Sequence, residues 1–103
     1  MNYFLISYSF EQGQEDDWHK NIEEFIATLK GDAELKGKVS YSCFKSKKDN
    51  HYYHLAKTTD EAAAKMLGSR DFFKRYTEKI EVVSNGTLSV TPLELIAATD
   101  QED

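Results

Sequence analysis

Two histidines in the middle of the chain are the residues best suited to chemistry. The segment Val39 to Lys57 reads VSYSCFKSKKDNHYYHLAK, and it contains the single cysteine and both histidines, His51 and His54. An imidazole titrates near neutral pH, so either residue could act as a general base. Such a base can take a proton from a bound molecule when an aromatic cavity beside it keeps the resulting anion away from water. The partners could be Tyr41 and Tyr52 for His54, and Tyr53 for His51.

Simpler interpretations of the same residues remain open. His51 and His54 form an H-x-x-H pattern, but the segment is strand-like, and an odd separation on a strand puts the two side chains on opposite faces. One metal ion could not use both, so we expect no metal site. Each histidine could equally be structural, bonded to a serine or a carbonyl. We expect His19 on the surface and Cys43 as a small buried apolar residue.

The elements around this segment follow from hydrophobic spacing. Asn2 to Phe10 is strand-like and alternates between an apolar face and a mixed face. Acidic residues then open a helix that ends at Gly31 with Lys30 in its last turn. The apolar stripe of this helix consists of Trp18, Ile22, Phe25, Ile26 and Leu29. Val39 to Lys57 forms two strands joined by a hairpin turn near Asp49 and Asn50.

The second half of the chain is less regular. Thr58 and Glu61 fit a capping box that opens a helix, and Gly68 with Ser69 indicates a break after which Ser69 caps a second segment. We predict helix to about Val82, a turn, and one long strand at 87–98. A hairpin around the Asn-Gly pair remains an alternative for 80–90. Pro92 places the last strand at an edge or a bulge.

The order is therefore β-α-β-β-α-β. This order predicts an α+β, ferredoxin-like fold in which a four-stranded antiparallel sheet carries two helices on one face. Residues 1–103 are expected to form a single domain. Two amphipathic helices can cover only one face of the sheet, and the other face still carries tyrosines and other apolar side chains. A second copy of the chain would bury that face, so we expect a homodimer.

Composition excludes several classes of partner. The formal net charge of −5 argues against a nucleic-acid partner, which would need clustered basic residues. The apolar run at 3–6 is too short for a signal peptide or a membrane span, so we expect no membrane partner. A lone cysteine fits a reducing compartment, and we expect a cytoplasmic location. The RNA-recognition fold shares the element order, but the third strand NHYYHLAK has neither its glycine nor its basic character.

A family resemblance adds to these expectations. The segment AAAKMLGSRDFFKRY (62–76), followed by LSVTPLELIAA (88–98), resembles the dimeric α+β barrel superfamily, and within it the antibiotic biosynthesis monooxygenase-like domains. Met66 occupies the position at which several members carry a histidine. The Asn, Trp and His set of the haem-degrading branch has no match here. The resemblance implies a homodimer with a pocket between sheet and helices in each protomer.

The function that the resemblance implies is a cofactor-independent monooxygenase acting on a small aromatic, quinol or polyketide-like substrate. No cofactor is expected. The alternative is a non-catalytic dimeric domain that binds a small ligand or serves assembly. His54 and His51 are the candidate catalytic residues. The candidate pocket-lining residues are Ser7, Trp18, Tyr41, Tyr52, Tyr53, Met66 and Phe72.

Overall fold

Four strands and three helices follow one another in the computed structural model, which describes residues 1–100. The strands are β1 (Asn2–Ser9), β2 (Val39–Lys45), β3 (His51–Thr58) and β4 (Ser89–Leu93). The helices are α1 (Glu15–Lys30), α2 (Glu61–Ser69) and α3 (Asp71–Ser84). Among residues 1–100, no helix is long and apolar enough to cross a membrane.

The strands form one antiparallel sheet in the order β2-β3-β1-β4. This arrangement confirms the predicted ferredoxin-like fold. Strand β1 lies at the centre, with Ile6 opposite His54 on one side and opposite Val90 on the other. Pro92 lies in β4, which is an edge strand, and this agrees with the predicted edge position.

The helices cover one face of the sheet and leave the other face uncovered. The face that carries Tyr8, Tyr52 and His54 packs against the helices, and these three side chains are buried. Helix α1 buries its predicted stripe except for Ile26, which is half-buried. Gly31 caps its C-terminus, because the Gly31 N–H donates to the Ala27 carbonyl. The opposite face, called the open face below, carries no helix. Phe44 and Tyr53 project from it and are exposed.

The predicted capping box at Thr58 is wrong. The N-cap of α2 is Asp60, whose carboxylate accepts a hydrogen bond from the Ala63 N–H at 2.8 Å. Thr58 is still part of β3, opposite Asn2 of β1, so its side chain points into the core and cannot reach the first turn of the helix. Strand pairing therefore determines the orientation of Thr58.

The helix break occurs near the predicted place but with different capping. Arg70 separates α2 from α3, while Ser69 does not cap α3; its hydroxyl donates to the Met66 carbonyl. Arg70 forms ion pairs of 2.9 Å with both Asp32 and Glu34, which anchor the junction to the loop after α1. The sequence pattern of small residues located the break, and this ion-pair cluster holds it.

The last strand is shorter than the predicted span of 87–98. Strand β4 ends at Leu93, which pairs with Tyr3, and β1 itself begins only one residue before Tyr3. Residues 95–98 of the predicted span therefore extend past the start of β1 and have no partner in that strand. The hairpin alternative is also wrong, because α3 continues to Ser84 and Asn85 adopts a left-handed conformation (φ 45°) that ends the helix.

Candidate functional site

A small apolar pocket lies between the sheet and the helices α2 and α3. Its volume is about 230 Å³. The sheet contributes one wall, the helices contribute the other, and the edge strand β4 borders the opening, where Val90 is 57% exposed. The lining side chains are Phe4, Ile6, Tyr41, Ala56, Thr58, Ala64, Leu67, Phe73, Thr77, Ile80, Leu88 and Val90.

Three of the lining residues carry a polar atom, and these atoms differ in how they are bonded. The Thr77 hydroxyl donates to the Lys74 carbonyl at 2.9 Å, and the Tyr41 hydroxyl is within 3.0 Å of His54 Nδ1. Thr58 is only 3% exposed, and its hydroxyl has no hydrogen-bond partner among the described residues. The Thr58 oxygen is shielded from the pocket space, so the surface that the pocket presents is almost entirely apolar.

Tyr41 connects the pocket to a buried hydrogen-bonded cluster. The cluster is centred on His54, which has no exposed surface. The imidazole Nε2 is 2.9 Å from the Tyr8 hydroxyl, and the Trp18 indole N–H donates to that same hydroxyl at 2.9 Å. The Nδ1 atom is 3.0 Å from the Tyr41 hydroxyl and 3.3 Å from the Tyr76 hydroxyl. The cluster ties together one residue each from β1, β2, β3, α1 and α3.

Each tautomer of His54 leaves one hydroxyl proton of the cluster unpaired. Trp18 can only donate, so the Tyr8 oxygen accepts from it and the Tyr8 proton needs an acceptor. His54 Nε2 is that acceptor if the imidazole carries its proton on Nδ1, from where it donates to Tyr41 and Tyr76. The other tautomer would leave the Tyr8 proton without an acceptor among the described residues. The Nδ1–H tautomer instead leaves the Tyr41 proton without an acceptor, because His54 Nδ1 is the one hydrogen-bond partner of that hydroxyl among the described residues.

Burial keeps every titratable group of the cluster neutral. It lowers the pKa of His54 to about 4 and raises the pKa of the Cys43 thiol to about 11. Burial also raises the pKa values of Tyr8, Tyr41 and Tyr76, so these phenols remain protonated. At neutral pH the site consequently offers hydrogen bonds but no charge.

The structure brings together only some of the predicted site residues. His54, Tyr41 and Trp18 belong to the buried cluster. Tyr52 lies beside it, stacked on Tyr8 at 5.4 Å, but its hydroxyl bonds to His19 at 2.7 Å and not to His54. His19 is thus half-buried and has a partner.

The other predicted residues lie elsewhere. His51 and Tyr53 stack on each other at 5.9 Å on the open face, and Ser7 lies directly opposite Tyr53 there. Met66 on α2 and Phe72 on α3 are half-buried and pack against the core without lining the pocket. Of the seven predicted pocket residues, Tyr41 alone lines it. His51 and His54 do lie on opposite faces, and no metal-binding group of three or more side chains occurs within residues 1–100.

Sequence reasoning missed Tyr8, Tyr76 and Thr58. Tyr8 and Tyr76 were assigned only to apolar faces, and nothing in their local pattern indicates a bond to a histidine far away in the chain. Thr58 was interpreted as a helix cap. One signal could have located Tyr8. The two-residue period of a strand places Tyr8 on the apolar face of β1, and it places Tyr52 and His54 together on one face of β3.

Comparison with solved structures shows the same architecture in several proteins. SnoaB, a cofactor-independent oxygenase from Streptomyces nogalater, is 17% identical and superimposes with a TM-score of 0.75, covering 97% of each chain. The chain has the fold of these monooxygenase-like domains. A structure described as an antibiotic biosynthesis monooxygenase is 14% identical, with a TM-score of 0.66 over 94% of this chain and 100% of the other.

A third similar structure is that of a dimeric ferredoxin-like protein from Jannaschia sp. CCS1. It is 19% identical to this chain, with a TM-score of 0.66 over 92% of this chain and 100% of the other. No protein-family model matches the sequence, and the comparison with curated proteins gives no match. These identities establish a shared fold, and the chemistry must be argued from the site.

Proposed function

We propose that the protein binds a small aromatic molecule in the pocket between the sheet and the helices α2 and α3. The observation that supports this is the apolar pocket itself, with a volume of about 230 Å³ and an opening at β4. An apolar cavity of about 150 Å³ is large enough for benzene, and drug-sized ligands use pockets of about 300 Å³ or more. A molecule of one or two rings fits between these limits.

The reaction we propose for this ligand is cofactor-independent oxygenation of a quinol. One atom of O₂ would enter the ring, the other would leave as water, and the quinol would supply the electrons. The fold shared with SnoaB supports this class of reaction, and the apolar walls would keep water from the quinol anion. Such a reaction also needs a group that accepts the quinol proton.

Tyr41 is the titratable side chain that lines the pocket and also bonds to His54. We propose that Tyr41 would accept the substrate proton while passing its own to His54 Nδ1. His51 lies on the other face of the sheet and takes no part in this proposal. The relay needs Nδ1 free of a proton, which is the tautomer that the Tyr8 and Trp18 bonds disfavour.

The Nδ1–H tautomer would support a second candidate, a non-catalytic domain that binds the same class of ligand. In the Nδ1–H tautomer, His54 has no site left to accept a proton from Tyr41. Nitrogen-15 NMR of the imidazole separates the two functions. A proton on Nε2 in the ligand-bound protein supports the oxygenase, and a proton that remains on Nδ1 supports binding alone.

Oxygen consumption with benzene and naphthalene quinols tests the oxygenase directly. We expect a rate above autoxidation, and we expect Tyr41→Phe to lower kcat about 100-fold with little change in KM, because general base catalysis contributes at least that much. Tyr52→Phe is the matched control, since its hydroxyl bonds to His19 and lies outside the pocket. Equal rates in the two variants would contradict the relay.

We also propose that the protein is a homodimer joined through the open face. Phe44 and Tyr53 are 58% and 39% exposed there, and Ser89, Thr91 and Leu93 of β4, which lie on the same face, are exposed as well. Beyond β4, Leu95 and Ile96 are 46% and 82% exposed. A second copy would bury these side chains by two-fold symmetry, and obligate homodimers commonly bury about 2,000 Å² or more. The similar structure from Jannaschia sp. is described as dimeric, which supports a dimer for this fold.

Sedimentation equilibrium at low micromolar concentration tests the dimer. We expect the dimer mass for the wild-type chain and a shift to monomer for Tyr53→Glu, because the variant places a charge in the interface. Val82→Glu is the matched control, since Val82 is 61% exposed on α3, away from the open face. A wild-type protein at the monomer mass would refute the proposed dimer.

A further inference from the structure

A second cavity, called the groove below, lies between the end of α1, the loop that follows it and the strand β2. Its volume is about 490 Å³, larger than that of the pocket. Because β2 is an edge strand, no further strand closes this side of the sheet. Three apolar side chains that line the groove, Ile26, Val39 and Tyr41, are only half-buried. The groove thus explains why Ile26 is less buried than the rest of the α1 stripe, and it leaves apolar surface for a ligand.

The loop at 31–38 holds the groove in one shape. Leu35 has no exposed surface, and its carbonyl accepts hydrogen bonds from the backbone N–H groups of Lys38 and Val39 at 2.9 and 3.1 Å. Gly37 has a φ of 79°, which a glycine adopts without strain and which lets the chain turn into β2. Since the loop is fixed by its own bonds, a ligand would enter a groove that is already formed.

The same loop separates its acidic side chains from its basic ones. Asp32 and Glu34 both form ion pairs of 2.9 Å with Arg70, at the junction of α2 and α3. Lys30 and Lys36 line the groove and are exposed, and neither forms an ion pair within residues 1–100. Because Arg70 holds the carboxylates of the loop, the groove keeps a positive rim in a chain whose formal net charge is −5.

One of the two lysines has another role, and the other does not. Lys30 lies in the last turn of α1, where a positive charge is favourable beside the C-terminal carbonyls. Lys36 lies outside the helices, so this effect does not apply to it. Small-molecule sites commonly have volumes of about 300–1,000 Å³ and combine apolar walls with a few polar groups that fix the ligand. The groove has both properties, and its polar groups include two ammonium groups.

We propose that the groove is a second ligand site, distinct from the pocket, and that it binds a small monocarboxylate with an apolar chain. The chain would lie on Ile26, Val39 and Tyr41, and the carboxylate would pair with Lys30 and Lys36. This site does not depend on the proposed oxygenation or on ligand binding in the pocket.

The position of the groove links it to the pocket and keeps it accessible. Tyr41 lines both cavities, so a ligand in the groove would touch the residue that also bonds to His54. The Tyr41 ring packs against Phe25 of α1, on the face of β2 that the helices cover. A homodimer joined through the open face would therefore leave the groove free.

Two probes with the same apolar chain and different charge test the site. Octanoate and 1-octanol are titrated separately into nitrogen-15-labelled protein at neutral pH, and the backbone amide shifts report where each probe binds. We expect octanoate to shift the amides of Lys36 and Gly37, which line the groove and not the pocket, more than those of Ala64 and Val90, which line the pocket and not the groove. We expect 1-octanol to bind more weakly, because it cannot pair with a lysine. Salt at about 1 M, where the Debye length is about 3 Å, should weaken the binding of octanoate alone.

One pair of variants makes the result specific to the rim of the groove. Lys36→Gln should lower the affinity for octanoate about two- to fivefold, the range of an exposed ion pair, and should leave the affinity for 1-octanol unchanged. Lys38→Gln is the matched control, because Lys38 is an exposed lysine of the same loop that does not line the groove. It removes the same charge from the chain and should leave the affinity for octanoate unchanged.

The outcomes distinguish this inference from the proposed function. If octanoate does not shift the amides of Lys36 and Gly37, the site is wrong, whatever the pocket binds. If both probes bind the groove equally, or if Lys36→Gln and Lys38→Gln have the same effect, the carboxylate assignment is wrong. Shifts of the same amides on dilution of the protein alone would show that a second copy covers the groove, and they would also refute the site. A loss confined to octanoate and to Lys36→Gln supports it.

Discussion

Replacing Phe25 with alanine should lower the free energy of unfolding by about 3–5 kcal/mol, the usual cost of truncating a buried aromatic residue. Phe25 is 5% exposed and lies in the middle of the apolar stripe of α1. Its ring stacks on Tyr76 with a centroid distance of 3.9 Å, and it meets the Tyr41 ring edge-on at 5.0 Å. Truncation would leave a cavity beside both hydroxyl partners of His54 Nδ1, which the neighbouring rings could fill only in part.

Urea denaturation at one fixed protein concentration measures this effect, because a dimer would make the midpoint depend on concentration. Val82→Ala is the control, since Val82 is 61% exposed on α3 and should change the free energy of unfolding by less than about 0.5 kcal/mol. A change below about 1 kcal/mol for Phe25→Ala would mean that the predicted face of α1 does not form the core.

The elements that were predicted correctly are those whose pattern is local. Trp18, Ile22 and Leu29 repeat at helical spacing, and α1 buries all of them. The alternation in β3 placed His54 and Tyr52 on one face and His51 on the other, and the structure confirms it. Such patterns depend on the geometry of one element, which a sequence displays directly.

The parts that were not predicted depend on the pairing of distant segments. Tyr8 and His54 are 46 residues apart, and their hydrogen bond follows from the register of β1 with β3. Tyr76 reaches the same imidazole from α3, which requires the packing of that helix on the sheet. At Thr58 the sequence pattern predicted a helix cap, but the residue pairs with β1 as part of β3 and does not cap α2.

The candidate site was therefore only partly visible in the sequence. The sequence suggested His54 with Tyr41 and Tyr52 beside an aromatic cavity; in the structure Tyr41 bonds to His54 and also lines the pocket, while Tyr52 bonds to His19. The pocket itself is lined mostly by ordinary apolar side chains from α2, α3 and three strands. Apolar residues of the same types also fill closed cores, so their identity alone does not indicate a pocket.

The second large effect concerns pH, and we expect acid to destabilise the protein through His54. Burial lowers the pKa of this imidazole to about 4, below the ordinary value of 6.5 that it has in the unfolded chain. The groups that face it are Tyr8, Tyr41 and Tyr76, which are neutral and provide no counter-charge. Between these two pH values the unfolded chain binds a proton that the folded chain does not.

Stability should therefore rise with pH wherever the unfolded state holds the extra proton. The contribution of His54 is fully present above about pH 6.5 and is lost progressively as the pH falls toward 4. The difference between the two pKa values corresponds to about 3 kcal/mol. Below about pH 4 the imidazole is protonated in both states, so it causes no further change in the free energy of unfolding.

Urea denaturation of the wild-type protein and of His54→Gln between pH 4 and 7 isolates this contribution, because the carboxylates titrate in both proteins. We expect the free energy of unfolding of the variant to depend less steeply on pH in that interval, by about 3 kcal/mol in total. His51→Gln on the open face is the matched control and should keep the slope that His54 contributes. Direct NMR titration of the wild-type imidazoles needs no variant: a His54 midpoint near 6.5 would refute the buried, neutral imidazole, and a midpoint near 4 would support it.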